Sequence, residues 1–229
     1  MIYDEIALWG LSNQSSEREI WDKTFSILEA TDGRLGVSTV RDGKPESRTI
    51  SLQRFSDGNV YLMTSRGKPF YRQLKQTPYI AAAGLLGDAN HSLRITSEVE
   101  EVTDPAKYQE YADHNPGTMR MYRFNTDLIV LFQLKKGTLE IFHLYRDDMV
   151  RRLRIGFGGA IPEPLSYYIT DQCIGCGACY DSCAEKSIDR LENGKYRIRN
   201  LDCDDCGICY TKCPIAGTGM INRNEETNP

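Results

Sequence analysis

Cys173-Ile174-Gly175-Cys176-Gly177-Ala178-Cys179-Tyr180-Asp181-Ser182-Cys183 recurs thirty positions on as Cys203-Asp204-Asp205-Cys206-Gly207-Ile208-Cys209-Tyr210-Thr211-Lys212-Cys213. In each run, two residues separate successive members of a thiol triplet, and a further thiol follows after three. A triplet so spaced wraps a tight loop around one compact object and presents sulfur to three corners of a cube. The remaining corner needs a ligand from elsewhere. Gly175, Gly177 and Gly207 suit a backbone that must approach inorganic sulfide and aim N–H groups at it. The constant offset reads as a duplicated half-domain with a pseudo-twofold axis. Zinc is the weaker reading, because a tetrahedral site uses two separated Cys-x-x-Cys pairs and not a triplet.

These runs resemble the bacterial two-cluster ferredoxins over roughly residues 166 to 222. The resemblance implies a small α+β domain in which the last cysteine of each run ligates the other cluster. One [4Fe–4S] cluster then takes Cys173, Cys176, Cys179 and Cys213, and the other takes Cys203, Cys206, Cys209 and Cys183. The sequence departs from the family at one point: Pro214 follows Cys213, but Ala184 follows Cys183. Ligation does not need that proline, but its absence frees a backbone N–H beside one cluster. The acidic run Asp202, Asp204 and Asp205 reads as a solvated loop, with a docking patch for a basic partner as its functional alternative.

All eight cysteines of the 229-residue chain lie between Cys173 and Cys213. So sharp a step marks a boundary. Gly156, Gly158, Gly159, Pro162 and Pro164 read as a linker before it. The expected division is a first domain over 1–155, a linker over 156–165 and a second domain over 166–229. Charged residues at 26% and hydrophobic residues at 40% describe an ordinary globular chain and exclude disordered or collagen-like classes. A net charge of −4 leaves no general basic footprint for nucleic acid. The longest apolar stretch, Tyr79 to Gly87, is far short of the roughly 18 residues of a membrane span. Met1-Ile2-Tyr3-Asp4-Glu5 carries acids where a signal peptide would want lysines. A cytoplasmic protein is expected, and disulfides are disfavoured accordingly.

In the first domain, Ser16-Glu17-Arg18-Glu19 is a capping box. Ile20, Trp21, Thr24, Phe25 and Leu28 follow at helical spacing, with Gly33 to stop the helix. The period then falls to two through Leu35, Val37 and Thr39, through Arg48, Ile50 and Leu52, and through Val60, Leu62 and Thr64. Asp42-Gly43 and Asp57-Gly58 mark hairpin turns between them. A short helix is expected over Pro69 to Gln76 and another from Asp104-Pro105. Further strands are expected at Tyr79–Leu86, Ser92–Val102, Leu128–Leu134 and Leu139–Leu144. Six or seven antiparallel strands with few helices make this domain mainly β, a closed or split barrel.

The chemically suggestive segment is Met63-Thr64-Ser65-Arg66-Gly67-Lys68 at a strand-to-helix junction. Hydroxyls, exposed N–H groups, a helix N-terminus and the Lys68 charge suit a phosphate monoester. Arg48, on the Ile50 and Leu52 face, needs an acidic partner that a phosphate could provide. Arg48-Thr49-Ile50-Ser51-Leu52, Tyr61-Leu62-Met63-Thr64, Lys68, Leu74-x-x-Thr77-Pro78 and Leu93-Arg94-Ile95 together resemble the pyridoxamine 5′-phosphate oxidase-like FMN-binding split barrels. The resemblance implies that Arg48 and Lys68 hold the FMN phosphate. The backbone at Thr49 and Ile50, with Met63 and Thr64, would line the flavin, and the Ser65 hydroxyl stays a candidate for the phosphate. It also implies a homodimer with FMN at the interface. A ferredoxin stands where the oxidases carry their substrate-binding C-terminal segment, which argues against vitamin B6 oxidation.

The remaining candidates are bland. His91, His114 and His143 are scattered, without metal-ligand spacing. Arg151, Arg152 and Arg154 read as a solvated strand end, with a nucleotide-phosphate contact as the lesser alternative. The two resemblances imply an oxidoreductase that couples FMN chemistry to one-electron transfer through two clusters. It would use a redox partner protein and a small-molecule substrate that the sequence does not name, and no catalytic side chain is assigned. The alternative is an electron carrier or redox sensor whose barrel serves dimerisation and docking.

Overall fold

The structure is a computed structural model that describes residues 9–11, 15–31, 33–87, 91–143, 151–199 and 203–226. The N-terminal Met1 to Glu5, the strand end at Leu144 and the acidic Asp202 lie outside the described residues. The chain falls into two compact units, one of residues 14–141 and 154–162, the other of residues 1–13, 142–153 and 163–229.

The larger unit opens with α1 (Glu17–Ala30). Its capping box closes as the sequence predicts: the Glu19 N–H donates to Ser16 Oγ at 3.2 Å, and the Ser16 N–H to Glu19 Oε2 at 2.7 Å. Ile20, Trp21, Thr24, Phe25 and Leu28 are its buried face. Trp21 is a core residue whose indole N–H donates to the Gly58 carbonyl at 3.0 Å, with its ring 4.7 Å from those of Phe25 and Phe157.

The strands follow: β1 (Arg34–Arg41), β2 (Lys44–Arg54), β3 (Val60–Ser65), β4 (Tyr79–Leu86), β5 (His91–Glu101), β6 (Ile129–His143) and β7 (Arg151–Phe157). Their order is β3-β2-β1-β4-β5-β6-β7, and β6 also pairs with β3, so six strands close into a barrel. Asp42 and Gly43, both at positive φ (51° and 75°), form the two-residue turn that brings Arg41 opposite Lys44. Leu35, Val37, Leu52, Leu62, Ile80, Leu93, Ile95 and Phe132 fill the interior. Burying each such side chain contributes about 1.5–3 kcal/mol.

Helix α2 (Pro69–Gln76) packs on β1 and β3 through Phe70, Gln73 and Leu74. Helices α3 (Pro105–His114) and α4 (Pro116–Met121) accompany a second apolar cluster around Phe55, Tyr61, Tyr111, Ile129 and Leu131.

Two expectations are corrected. Leu128–Leu134 and Leu139–Leu144 were expected as separate strands, but β6 runs unbroken through Lys135-Lys136-Gly137. A Cβ at Gly137 would lie 1.8 Å from the Thr96 carbonyl oxygen. The glycine marks a close approach of two strands and not a turn. The reading of Arg152 and Arg154 as solvated is also corrected: Arg152 is buried with its guanidinium 4.9 Å from the Phe142 ring centre, and Arg154 pairs with Glu140 at 2.5 Å.

In the second unit, β8 (Tyr167–Ile169), α5 (Ala178–Ser182) and β9 (Ile188–Arg190) make one half. The other half is β10 (Tyr196–Ile198), α6 (Ile208–Lys212) and β11 (Met220–Asn222), followed by the short α7 (Arg223–Glu226). β8 pairs with β11 and β9 with β10, so both small sheets join one half to the other. Among the described residues, no helix is long and apolar enough to cross a membrane.

Candidate functional site

The two cysteine runs use one backbone device twice. The Gly175 N–H points at Cys173 Sγ at 3.4 Å, and the Asp205 N–H points at Cys203 Sγ at 3.3 Å. Both residues are left-handed, with φ of 71° and 66°. Gly177 and Gly207, also left-handed, then start α5 and α6. A Cβ on Gly207 would stand 2.5 Å from the Tyr167 hydroxyl, and one on Gly177 would stand 3.3 Å from that of Tyr196. The ring pairs Tyr167–Tyr210 and Tyr180–Tyr196 match, each 5.7 Å apart and inclined at 41° and 40°. These tyrosines carry the pseudo-twofold into the side chains. Tyr180 and Tyr210 belong to the repeat itself; sequence reasoning missed Tyr167 and Tyr196, although each stands a few residues before the first cysteine of its run.

Asp205 departs from the solvated-loop reading. Its carboxylate accepts the Ser166 N–H at 3.0 Å and the Ser166 hydroxyl at 3.0 Å, which holds a non-glycine residue in the left-handed region. Asp204 is exposed.

All eight cysteines are free thiols. Cys173, Cys176, Cys179 and Cys213 line one cavity, walled by Ile169, Tyr196 and Met220. Among the described residues, no three His, Cys, Asp or Glu side chains gather where a single metal ion would sit. Four thiols around an apolar space, with backbone N–H groups aimed at sulfur, fit a multi-iron cluster. Burial pushes the Cys179 thiol up to about 11 and the Cys209 thiol up to about 12, and it raises Cys203 as well. The metal-free chain therefore carries neutral thiols there, and loading a metal must release protons.

Residues 166–214 match the family described as a 4Fe-4S dicluster domain. The cysteine-rich region is a ferredoxin-type iron–sulfur domain. An uncharacterized ferredoxin of Methanocaldococcus jannaschii is 40% identical over 47 residues, which are 19% of this chain and 61% of that protein. The pyruvate synthase subunit PorD of the same organism is 38% identical over 45 residues, 20% of this chain and 52% of that one. The chain thus spans 61% and 52% of the lengths of these curated relatives. A NimC/NimA family protein from Clostridium acetobutylicum aligns with a TM-score of 0.51 at 16% identity, covering 59% of this chain and 93% of its own. The barrel is a split barrel of that fold.

The residues expected around a flavin are spread over several surroundings. Arg48 lies in β2 opposite Val37. Its Nη1 donates to Thr39 Oγ1 at 2.6 Å and its Nη2 to Gln73 Oε1 at 2.9 Å; Glu46 Oε2 stands 3.5 Å from Nη2, and the Phe70 ring centre is 4.6 Å away. Its acidic partner is therefore Glu46, which sequence reasoning missed although it shares the Arg48 face two residues earlier. Thr49 is exposed on the opposite face of β2, and Ile50 is half-buried beside Arg48. In β3 the alternation sends Met63 and Thr64 to opposite sides. Met63 packs into the cluster with Tyr61 and Leu131. Thr64 is buried, and its hydroxyl has no hydrogen-bond partner among the described residues. Ser65 is buried, and its carbonyl accepts the Lys68 N–H at 2.9 Å. The Lys68 side chain is exposed at the start of α2 and makes no ion pair among the described residues.

Two clefts open on the barrel unit. Arg66, Glu101, Tyr108, Met119 and Asp127 line one; Arg18, Arg54, Glu110 and His114 line the other. None of Arg48, Thr49, Ile50, Met63, Thr64, Ser65 or Lys68 lines either.

Proposed function

We propose that this chain is an FMN- and iron–sulfur-dependent oxidoreductase with a split-barrel domain over residues 1–155, a linker over 156–165 and a two-cluster domain over 166–229. One cluster is held by Cys173, Cys176, Cys179 and Cys213, the other by Cys203, Cys206, Cys209 and Cys183. The observation that carries this reading is that three thiols of the first run and the last thiol of the second share one cavity. The clusters exchange single electrons with a redox partner protein.

On the barrel, Lys68 supplies the charge for a flavin phosphate, with Ser65 and the start of α2 beside it. The buried Thr64 hydroxyl is a polar group in need of a partner. Bound FMN would supply the step between electron-pair chemistry on a small substrate and single electrons on the clusters. The protein would act as a homodimer, each copy contributing part of the flavin surface.

The engagement of Arg48 by Glu46, Gln73 and Thr39 favours a second reading, in which the barrel docks and dimerises without flavin and the chain is an electron carrier or redox sensor. Anaerobic purification with iron, sulfide and flavin assays separates the two. The oxidoreductase reading expects FMN alongside full iron. Lys68→Ala, an exposed position, should weaken FMN binding at least tenfold, about 1.4 kcal/mol, and leave iron content unchanged. Iron without flavin, and no shift of the thermal midpoint on adding FMN, would leave the carrier reading.

A further inference from the structure

The two cysteine runs match at their first sulfurs and differ at their last. Ser187 is buried, and it meets Cys183 Sγ twice: its N–H at 3.4 Å and its hydroxyl oxygen at 3.2 Å. Thirty positions on stands Gly217, which has no side chain and whose N–H donates to the Met220 carbonyl at 2.8 Å. Among the described residues, no hydrogen bond reaches Cys213 Sγ. The backbone that puts Ser187 there is specific to its half. Lys186 is left-handed at φ 48°, and the Ser187 carbonyl accepts the Arg199 N–H at 2.7 Å.

An iron-bound cysteine sulfur carries no proton. Of the two groups 3.2 Å apart, Ser187 is then the only possible donor. When a cluster gains an electron, its ligand sulfurs become more negative, and a hydrogen bond to them strengthens. Such bonds are among the means by which a protein sets a cluster's potential.

We propose that Ser187 is a positioning residue that raises the reduction potential of one cluster, the one ligated by Cys183, and leaves the other alone. The inference rests on the cysteine assignment above. Among the described residues, Asp204 and Asp205 place opposing charge beside the same cluster, and the Asp205 N–H meets Cys203 Sγ. Its carboxylate is already held by the N–H and hydroxyl of Ser166. The duplicated domain thereby acquires two unequal electron sites from nearly equal halves, with one part of the difference placed in a single hydroxyl group.

The test is a redox titration of the full-length chain, loaded and handled without air, with dithionite as reductant and paramagnetic resonance as readout. Ser187→Ala keeps the backbone N–H and removes the hydroxyl. One of the two cluster waves should move to more negative potential, by up to about tenfold in its reduction equilibrium, about 59 mV for one electron. The other wave should stay in place, and iron content should not change. Ser187→Thr, which retains a hydroxyl, should return the moved wave toward its wild-type position. Two unmoved waves, or two waves moved equally, would overturn the proposal. Should the alanine variant load iron incompletely, Ser187→Gly takes its place. Incomplete loading in both would overturn it too, because the hydroxyl would then serve to hold iron. A wild-type chain that takes up no iron would sink the cysteine assignment itself, an outcome separate from either.

Discussion

The barrel and the cysteine-rich domain are stabilised by different things. The barrel interior is a continuous set of buried aliphatic and aromatic side chains, with Phe25, Leu35, Leu62 and Phe132 among the fully buried. In the cysteine-rich domain, the buried cluster is Cys179, Ile188 and Met220, with four other residues of its rim being Cys183, Cys209, Cys213 and Tyr196. A segment this short with so few apolar groups buries too little surface to fold on that alone. The barrel derives its stability from the hydrophobic effect, whereas four of the ten residues in the second domain's cluster, Cys179, Cys183, Cys209 and Cys213, are the thiols proposed to hold metal. Folding and metal loading should therefore be independent in one region and the same event in the other.

The largest effect expected from this difference is on removing iron. Anaerobic chelation should unfold residues 166–214 while the barrel keeps its cooperative transition, as followed by amide hydrogen exchange resolved along the chain. Protection of both regions after chelation would break the contrast. The next effect is Phe132→Ala, which removes a ring paired with Leu62 at the β3–β6 closure. It should cost about 3–5 kcal/mol in the barrel transition, measured by denaturant, and leave the cluster spectrum unchanged.

The smallest effect concerns pH. Asp57 accepts the Tyr61 hydroxyl at 2.7 Å and stands 2.9 Å from Lys107 Nζ, which ties α3 to the β2–β3 turn. Burial alone would raise its carboxyl, but the hydrogen bonds from Tyr61, Lys107 and the Asn59 N–H outweigh it and hold the group well below the usual carboxylate range. A depressed pKa contributes stability that is complete above the unfolded value, near about 3.9, and is lost as pH falls through the folded value. Asp57→Asn should cost about 1 kcal/mol at neutral pH and flatten the barrel's loss of stability below about pH 4. Equal acid sensitivity in variant and parent would refute this role.

Much of the architecture was legible because it is local. The Ser16–Glu19 box, the Asp42-Gly43 turn and the helix over Pro69–Gln76 all depend on neighbours within a few residues, and each stands where the sequence predicts. The unbroken β6 was not legible, because a glycine such as Gly137 can serve a turn or a strand crossing until the strand opposite is known. Arg48 was read correctly as needing an acidic partner, but whether Glu46 or a ligand would supply it depended on how α2 packs. That packing brings Gln73 between them, with Gln73 Nε2 donating to Glu46 Oε2 at 2.5 Å.

The sequence by itself pointed to the class of metal chemistry, because a triplet of thiols, each separated by two residues, wraps a small loop around one compact group. It also determined the barrel's two faces, since alternation along a strand is a property of the backbone. Only the tertiary structure decided which thiols share a cavity, what Arg48 and Asp205 bind, and that Ser187 meets the Cys183 sulfur while Gly217 meets none. Those outcomes depend on where the chain returns after many residues, and short-range spacing carries no information about that.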